Sequence, residues 1–97
     1  MNIYVVLKPR GYKFNKKMRV EFATYSAVAV RPDGIERTIG SVEIYLNDEG
    51  QFSKSVFYRS LNDATLFPGS EFQLSELIME TMELAKEVAK KQLGAKI

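Results

Sequence analysis

Residues 70–94 read SEFQLSELIMETMELAKEVAKKQLG, and the rest of the domain has to cover the apolar side of this segment. Its apolar side chains recur at steps of three and four residues, which places them on one face of an α-helix. They are Leu74, Leu77, Ile78, Met82, Ala85, Val88 and Ala89. Ser70 and Gln73 have the spacing of a capping box, and Gly94 stands where a helix commonly ends in a left-handed residue. The stretch therefore predicts an amphipathic helix over about residues 70–94, whose apolar face needs a second hydrophobic layer.

The chain before the helix supplies that layer as β-strands. Four segments are rich in β-branched and aromatic residues, which favours strands. They are residues 3–7, 18–30, 36–46 and 51–61. Pro9 and Gly11 are expected to end the first strand, which leaves residues 8–19 as a basic connection.

Turn residues separate the later strands. Residues 31–34 read RPDG and residues 47–50 read NDEG, both typical of short hairpin connections. Strands joined by such turns are antiparallel neighbours. We therefore predict the α+β class: a single domain over 1–97, with a three- to four-stranded antiparallel meander at about 3–61 packed against one C-terminal helix.

Composition excludes several kinds of chemistry. The 97 residues are 45% hydrophobic and 27% charged, which is typical of a globular domain and not of a disordered chain. The absence of cysteine and histidine removes the usual zinc and haem ligands and the Ser-His and Cys-His nucleophiles. The densest oxygen-ligand cluster, Asn47-Asp48-Glu49, is interpreted as a turn. We therefore predict a protein that is not an enzyme and has no catalytic residues, no cofactor and no metal.

The N-terminal residues carry only a short apolar run, at residues 3–7, and no charged region before it. That pattern does not match a secretory signal, and no segment approaches the ~20 apolar residues of a membrane span. We expect a cytoplasmic protein without a membrane partner.

Residues 8–19, KPRGYKFNKKMR, are the strongest candidate for a binding site in the sequence, because they contain six basic residues and no acidic one. Their candidate ligand-binding side chains are Lys8, Arg10, Tyr12, Lys13, Phe14, Lys16, Lys17 and Arg19. The bases can neutralise phosphates or face an acidic partner, and the two aromatic rings can stack on nucleobases. The alternative is a solvated basic hairpin or loop whose two aromatic rings pack against the sheet edge.

Within this stretch, the five residues 10–14 resemble the basic-Gly-aromatic-x-aromatic core of RRM and cold-shock strands. Lys13 departs from that pattern by replacing a small residue, and residues 15–17 replace its apolar continuation. The resemblance implies contact with RNA or single-stranded nucleic acid.

The helix offers a second candidate surface. Phe72 and Met79 are seven residues apart on the flank away from the main apolar face, beside Glu76, Glu80 and Glu83. An aromatic ring and a methionine on a charged outer face can anchor a protein partner. The alternative is that a loop of the same domain, with Leu66 and Phe67, covers them.

Two functions follow from these surfaces. The first is a small non-catalytic cytoplasmic binding protein that acts by stoichiometric protein–protein interaction, as an inhibitor or adaptor of the kind that phages and mobile elements encode. The alternative is a single-stranded nucleic-acid or RNA-binding protein that uses residues 8–19. Either function is compatible with a homodimer that forms through a sheet edge or through the helix.

Overall fold

The computed structural model describes residues 3–60 and 74–95. It contains four β-strands and one α-helix. Their bounds are β1 Tyr4–Phe14, β2 Val20–Val30, β3 Glu36–Leu46, β4 Phe52–Arg59 and α1 Leu74–Gln92. The strands form one antiparallel sheet in the order β1-β2-β3-β4, and the helix packs against it. The predicted α+β meander is confirmed, with four strands.

The three hairpins use one kind of turn, at residues 15–19, 31–35 and 47–51. In each turn the first residue's N–H donates to the carbonyl of the fifth, at 2.8, 2.9 and 2.9 Å respectively. The fourth residue has a positive φ in all three: 61° at Met18, 88° at Gly34 and 76° at Gly50. Such a left-handed residue after a type I turn is typical of tight hairpins. The turns predicted from RPDG and NDEG are confirmed.

Strand β1 extends further than the sequence predicted. It continues past Pro9 and Gly11 to Phe14, and its pairing with β2 shifts register between those two residues. β1 is an edge strand, so a proline without an N–H costs no hydrogen bond where it faces away from β2. The predicted basic connection is therefore wrong for residues 8–14, which belong to the strand.

One face of the sheet, here called the helix-side face, packs under α1. Leu77, Ala85, Val88 and Ala89 of the helix are buried, which confirms the predicted apolar face at those positions. Ile78 and Met82 are only partly buried. The predicted capping box and the start of the helix at residue 70 lie outside the described residues, whereas Gly94 has the expected positive φ, of 64°.

A buried polar residue that the apolar pattern left out lies on the same helix face. Thr81 is fully buried, and its hydroxyl donates to the Leu77 carbonyl oxygen at 2.6 Å. That bond satisfies the hydroxyl within the helix, so it does not need a partner from the sheet.

Small residues of β2 line the helix-side face of the sheet. Ala23, Ala27 and Ala29 are fully buried on the helix-side face, together with Tyr25. The opposite face, here called the outer face, carries the alternate residues of each strand, such as Ser41, because successive side chains point to opposite sides.

Candidate functional site

The β1–β2 hairpin carries the basic and aromatic residues that the sequence singled out. Its turn is built on Asn15, whose Oδ1 accepts the N–H groups of Lys17 at 2.9 Å and Arg19 at 3.1 Å. The side chain thus replaces water at two backbone donors and holds the turn closed. Lys16, Lys17 and Met18 lie at the tip, and Met18 is 78% exposed.

Two aromatic rings lie side by side on this hairpin. Tyr12 and Phe14 are 51% and 53% exposed, and their ring centroids are 6.4 Å apart with a 36° tilt. Tyr12 pairs with Ala23 in the sheet, so it belongs to the helix-side face. Both rings thus lie on the edge strand, and about half of each residue remains accessible to solvent.

Tyr12 also lies close to the buried Tyr25, whose hydroxyl donates to Gln92 Oε1 at 3.5 Å. Burial raises the pKa of the Tyr25 hydroxyl, and the neighbouring Tyr12 raises it further. The phenol end of Tyr12 therefore rests beside the end of α1, while its ring stays accessible.

The structure divides the six predicted cations into two groups. Three have partners: Lys8 bridges to Glu36 at 2.5 Å, Lys13 lies 3.9 Å from Glu21, and Arg19 Nη1 donates to the Asp48 carbonyl at 2.7 Å. The bond of Arg19 joins the β1–β2 turn to the β3–β4 turn.

The other three cations are Arg10, Lys16 and Lys17, and all are exposed. Within residues 3–60 and 74–95 none of them forms an ion pair. Arg10 also borders a shallow depression of about 390 Å³ that is lined in addition by Lys13, Phe22 and Thr24. Within the described part of the chain, these three are thus the cations of residues 8–19 that have no ion pair or side-chain hydrogen bond, which leaves them accessible to an anionic ligand.

A row of four side chains crosses the outer face, and of these the sequence analysis singled out only Lys13. Lys13, Phe22, Tyr45 and Lys54 are direct cross-strand partners on the four successive strands. The two rings face each other with centroids 4.9 Å apart, Lys13 Nζ lies 5.8 Å from the Phe22 centroid, and Lys54 Nζ lies 5.1 Å from the Tyr45 centroid. Lys13 thus lies on the face opposite Tyr12, and the predicted basic segment does not form one continuous surface.

Tyrosine hydroxyls on the outer face converge on one carboxylate. Tyr45 and Tyr58 both donate to Glu43 Oε1, each at 2.9 Å. The hydrogen bond to this carboxylate raises the pKa of both tyrosines. Sequence reasoning missed this group, because Tyr58 approaches Glu43 only through the pairing of β3 with β4.

The structure describes only part of the second predicted surface, which lies on the helix. Met79 is 69% exposed, and Glu76, Glu80 and Glu83 are exposed with it. Phe72, the other predicted anchor, lies outside the described residues, as do Leu66 and Phe67.

Among the described residues no group of three or more Asp, Glu, His or Cys side chains has the geometry to hold a metal ion. In the predicted oxygen-ligand cluster, Asn47 Oδ1 accepts the N–H groups of Glu49 at 3.0 Å and Gln51 at 2.8 Å. This side chain closes the turn, as in the Asn15 turn.

No helix in the described part of the chain is long and apolar enough to cross a membrane. Comparison with protein-family models, with curated proteins and with solved structures gives no match. Functional assignment therefore depends on the geometry of the side chains.

Proposed function

We propose that this protein is a non-catalytic binding protein that holds single-stranded nucleic acid with the β1–β2 hairpin. One observation carries the proposal: the half-exposed rings of Tyr12 and Phe14 lie on the same hairpin as three exposed cations. These are Arg10, Lys16 and Lys17, which form no ion pair with the described part of the chain. Rings and cations together are the two elements of a surface that binds strands without reading their sequence.

The rings would supply the contact with the bases. Stacking of a nucleobase on an exposed aromatic ring is worth ~1–3 kcal/mol, and every base has a face that can stack. In a duplex those faces are hidden between neighbouring base pairs, so the rings favour single strands over double strands.

The cations would supply the contact with the phosphates. Lys16 and Lys17 are adjacent at the hairpin tip, where no carboxylate of the described chain neutralises them. Each phosphate neutralised on a single strand releases counterions, which gives a slope of about −0.7 in log affinity against log salt. Lys8, Lys13 and Arg19 are expected to contribute less, since each already has a partner.

The test is fluorescence anisotropy of a labelled single-stranded oligonucleotide of mixed sequence over a series of salt concentrations. Lys16→Ala with Lys17→Ala should flatten the salt slope by up to ~1.4, for two lost phosphate contacts. Tyr12→Ala and Phe14→Ala should each weaken binding by ~1–3 kcal/mol at fixed salt.

The matched control is Lys86→Ala with Lys90→Ala, which removes the same charge from exposed positions on the helix. This pair should leave the slope close to that of the unmodified protein, because neither side chain lies on the hairpin. If the hairpin pair and the helix pair change affinity and slope equally, the hairpin does not hold the strand.

Stoichiometric protein binding, of inhibitor or adaptor type, is the second proposal. It is supported by Met79, which is 69% exposed beside the carboxylates of Glu80 and Glu83. These side chains fit a partner whose apolar pocket is bordered by Lys or Arg. Affinity capture from native extract, with and without nuclease, tests it: a captured protein should resist nuclease and be lost with Met79→Ala, but not with Lys16→Ala and Lys17→Ala.

A further inference from the structure

The outer face of the sheet is more apolar than a solvent-facing layer requires. When one face of an antiparallel sheet packs on a core and the other meets water, the outer residues are usually polar. Here large apolar and aromatic side chains lie on both central strands and on β4. They are Phe22, Val28, Val30, Tyr45, Val56 and Tyr58.

Two of these residues form a small apolar region separate from the core under the helix. Val28 and Val30 are only 5% and 8% exposed, yet neither belongs to the main cluster of buried residues. The Lys8–Glu36 ion pair joins β1 to β3 across β2, which carries both valines, whereas Tyr58 remains 52% exposed on the same face. Little of the two valines is therefore left to contact a second copy, and Tyr58 is the aromatic ring that this face offers most openly.

Charges on the outer face are of both signs. Lys8, Lys13 and Lys54 lie there with Glu36 and Glu43, and the Glu43 carboxylate is held by two tyrosine hydroxyls. A surface of one sign would repel a copy of itself, whereas a mixed surface can place its lysines opposite its carboxylates under twofold symmetry.

The area of the face is sufficient for a dimer. Four strands spaced ~4.8 Å apart, most of them 11 residues long at ~3.4 Å per residue, give a face of roughly 20 by 35 Å. That is about 700 Å² for each copy and about 1,400 Å² for two, within the ~1,200–2,000 Å² of stable interfaces.

We infer that the outer face binds a second copy of this chain, so that two sheets pack face to face with the helices outside. Aligned sheets in such a layer cross at about 30°. Ser26 and Ser41 are cross-strand partners at the middle of the two central strands. They therefore lie beside the twofold axis, where each residue approaches its own counterpart. The ring of Tyr12 lies on the helix-side face and remains outside this interface, and the ring of Phe14 lies next to it on the hairpin.

Sedimentation velocity of the full chain over about a hundredfold range of concentration measures the dimer. Ser41→Glu brings two like charges together at the axis, and Tyr58→Glu places a carboxylate in the interface beside Glu43. Each should weaken dimerisation at least about tenfold. Lys90→Glu, at an exposed position on the helix, is the control and should leave the dimer unchanged.

Crosslinking gives an independent measurement, because the chain has no cysteine of its own. Ser41→Cys should crosslink rapidly to its counterpart with a thiol-specific bismaleimide, whereas Glu76→Cys on the helix should not. The inference is overturned if the unmodified chain sediments as a monomer throughout the range. It is equally overturned if dimers persist in folded Ser41→Glu and Tyr58→Glu proteins, or if the two cysteine variants crosslink at the same rate.

Discussion

Gly40 lies directly against Phe57 in the pairing of β3 with β4. A Cβ at residue 40 would stand 2.7 Å from Phe57 Cζ, and it would come closer still to the backbone carbonyl oxygen of Tyr58. The ring of Phe57 can rotate away, but the carbonyl belongs to the sheet ladder and cannot. The pairing of these two strands therefore requires glycine at this position.

We expect Gly40→Ala to destabilise the fold by ~1–3 kcal/mol, the usual cost of forcing an extra methyl group into a packed site. Denaturant unfolding followed by circular dichroism measures it. Gly11→Ala is the matched control, since a Cβ at residue 11 meets nothing within 4 Å. Equal midpoints for the two variants would show that β3 and β4 can separate to make room.

Met18→Gly should make the protein more stable. Met18 has a φ of 61° at the turn position where the two other hairpins have Gly34 and Gly50. A side chain in that conformation costs ~1–2 kcal/mol, partly offset by the greater freedom of glycine in the unfolded chain. We expect a net gain of about 1 kcal/mol in the free energy of unfolding.

The control is Lys17→Gly in the same turn. Lys17 does not have a positive φ, so replacing it with glycine should not increase the free energy of unfolding. A loss of stability in Met18→Gly would mean that the exposed methionine side chain makes a contact that outweighs its backbone strain.

The two sides of the helix should respond very differently to truncation. Leu77 is fully buried against the sheet, whereas Met79, two residues on, is 69% exposed. We expect Leu77→Ala to cost ~2–5 kcal/mol and Met79→Ala to stay within about 0.5 kcal/mol of the unmodified protein. Thermal unfolding of both variants measures the difference, and similar melting temperatures would contradict the placement of the helix.

Glu43 should control the titration of two tyrosines. Its carboxylate raises the pKa of Tyr45 and Tyr58, whereas the pKa of Tyr25 is raised mainly by burial. Ultraviolet titration of tyrosinate formation in Glu43→Gln should therefore show two groups titrating at lower pH and a third unchanged. An unaltered titration curve would mean that the two hydroxyls do not rely on this carboxylate.

The raised pKa values of Tyr45 and Tyr58 also predict how the stability of the fold changes with pH. The folded protein holds the protons of Tyr45 and Tyr58 more tightly than the unfolded chain does, so it keeps them at a pH where the unfolded chain loses them. Their contribution is fully present below about pH 10 and is lost as the pH rises through the folded pKa values. Unfolding midpoints measured above pH 10 should thus fall less in Glu43→Gln than in the unmodified protein.

Much of the fold could be predicted because its signals are local. The spacing of Leu77, Ala85 and Val88 indicates the buried helix face, and the glycines of two hairpins indicate turns with positive φ. The end of β1 was predicted wrongly, because the effect of Pro9 depends on whether its strand lies at an edge or in the middle of the sheet. That position is not a local property.

The sequence predicts which residues belong to the candidate site, but not how their side chains are arranged in space. The sequence names the six cations of residues 8–19, but it does not tell which of them meet a carboxylate. Lys8 reaches Glu36 from a strand two positions away in the sheet, and Arg19 reaches the carbonyl of Asp48 in the other turn at this end. Arg10, Lys16 and Lys17 are the cations left for a ligand only after these pairings form.

The strands in their order, the two turns that contain glycine and the inward face of the helix can all be read from the amino-acid sequence, because each depends on residues close together in the chain. Three neighbour relations appear only in the folded sheet: Phe22 packs against Tyr45, Gly40 lies against Phe57, and Lys13 faces away from Tyr12. These neighbours are fixed by strand register, and a shift of one residue would turn every side chain to the opposite face. Register is set jointly by the turns, by the irregular pairings in β1, β2 and β3, and by the layer that buries the sheet.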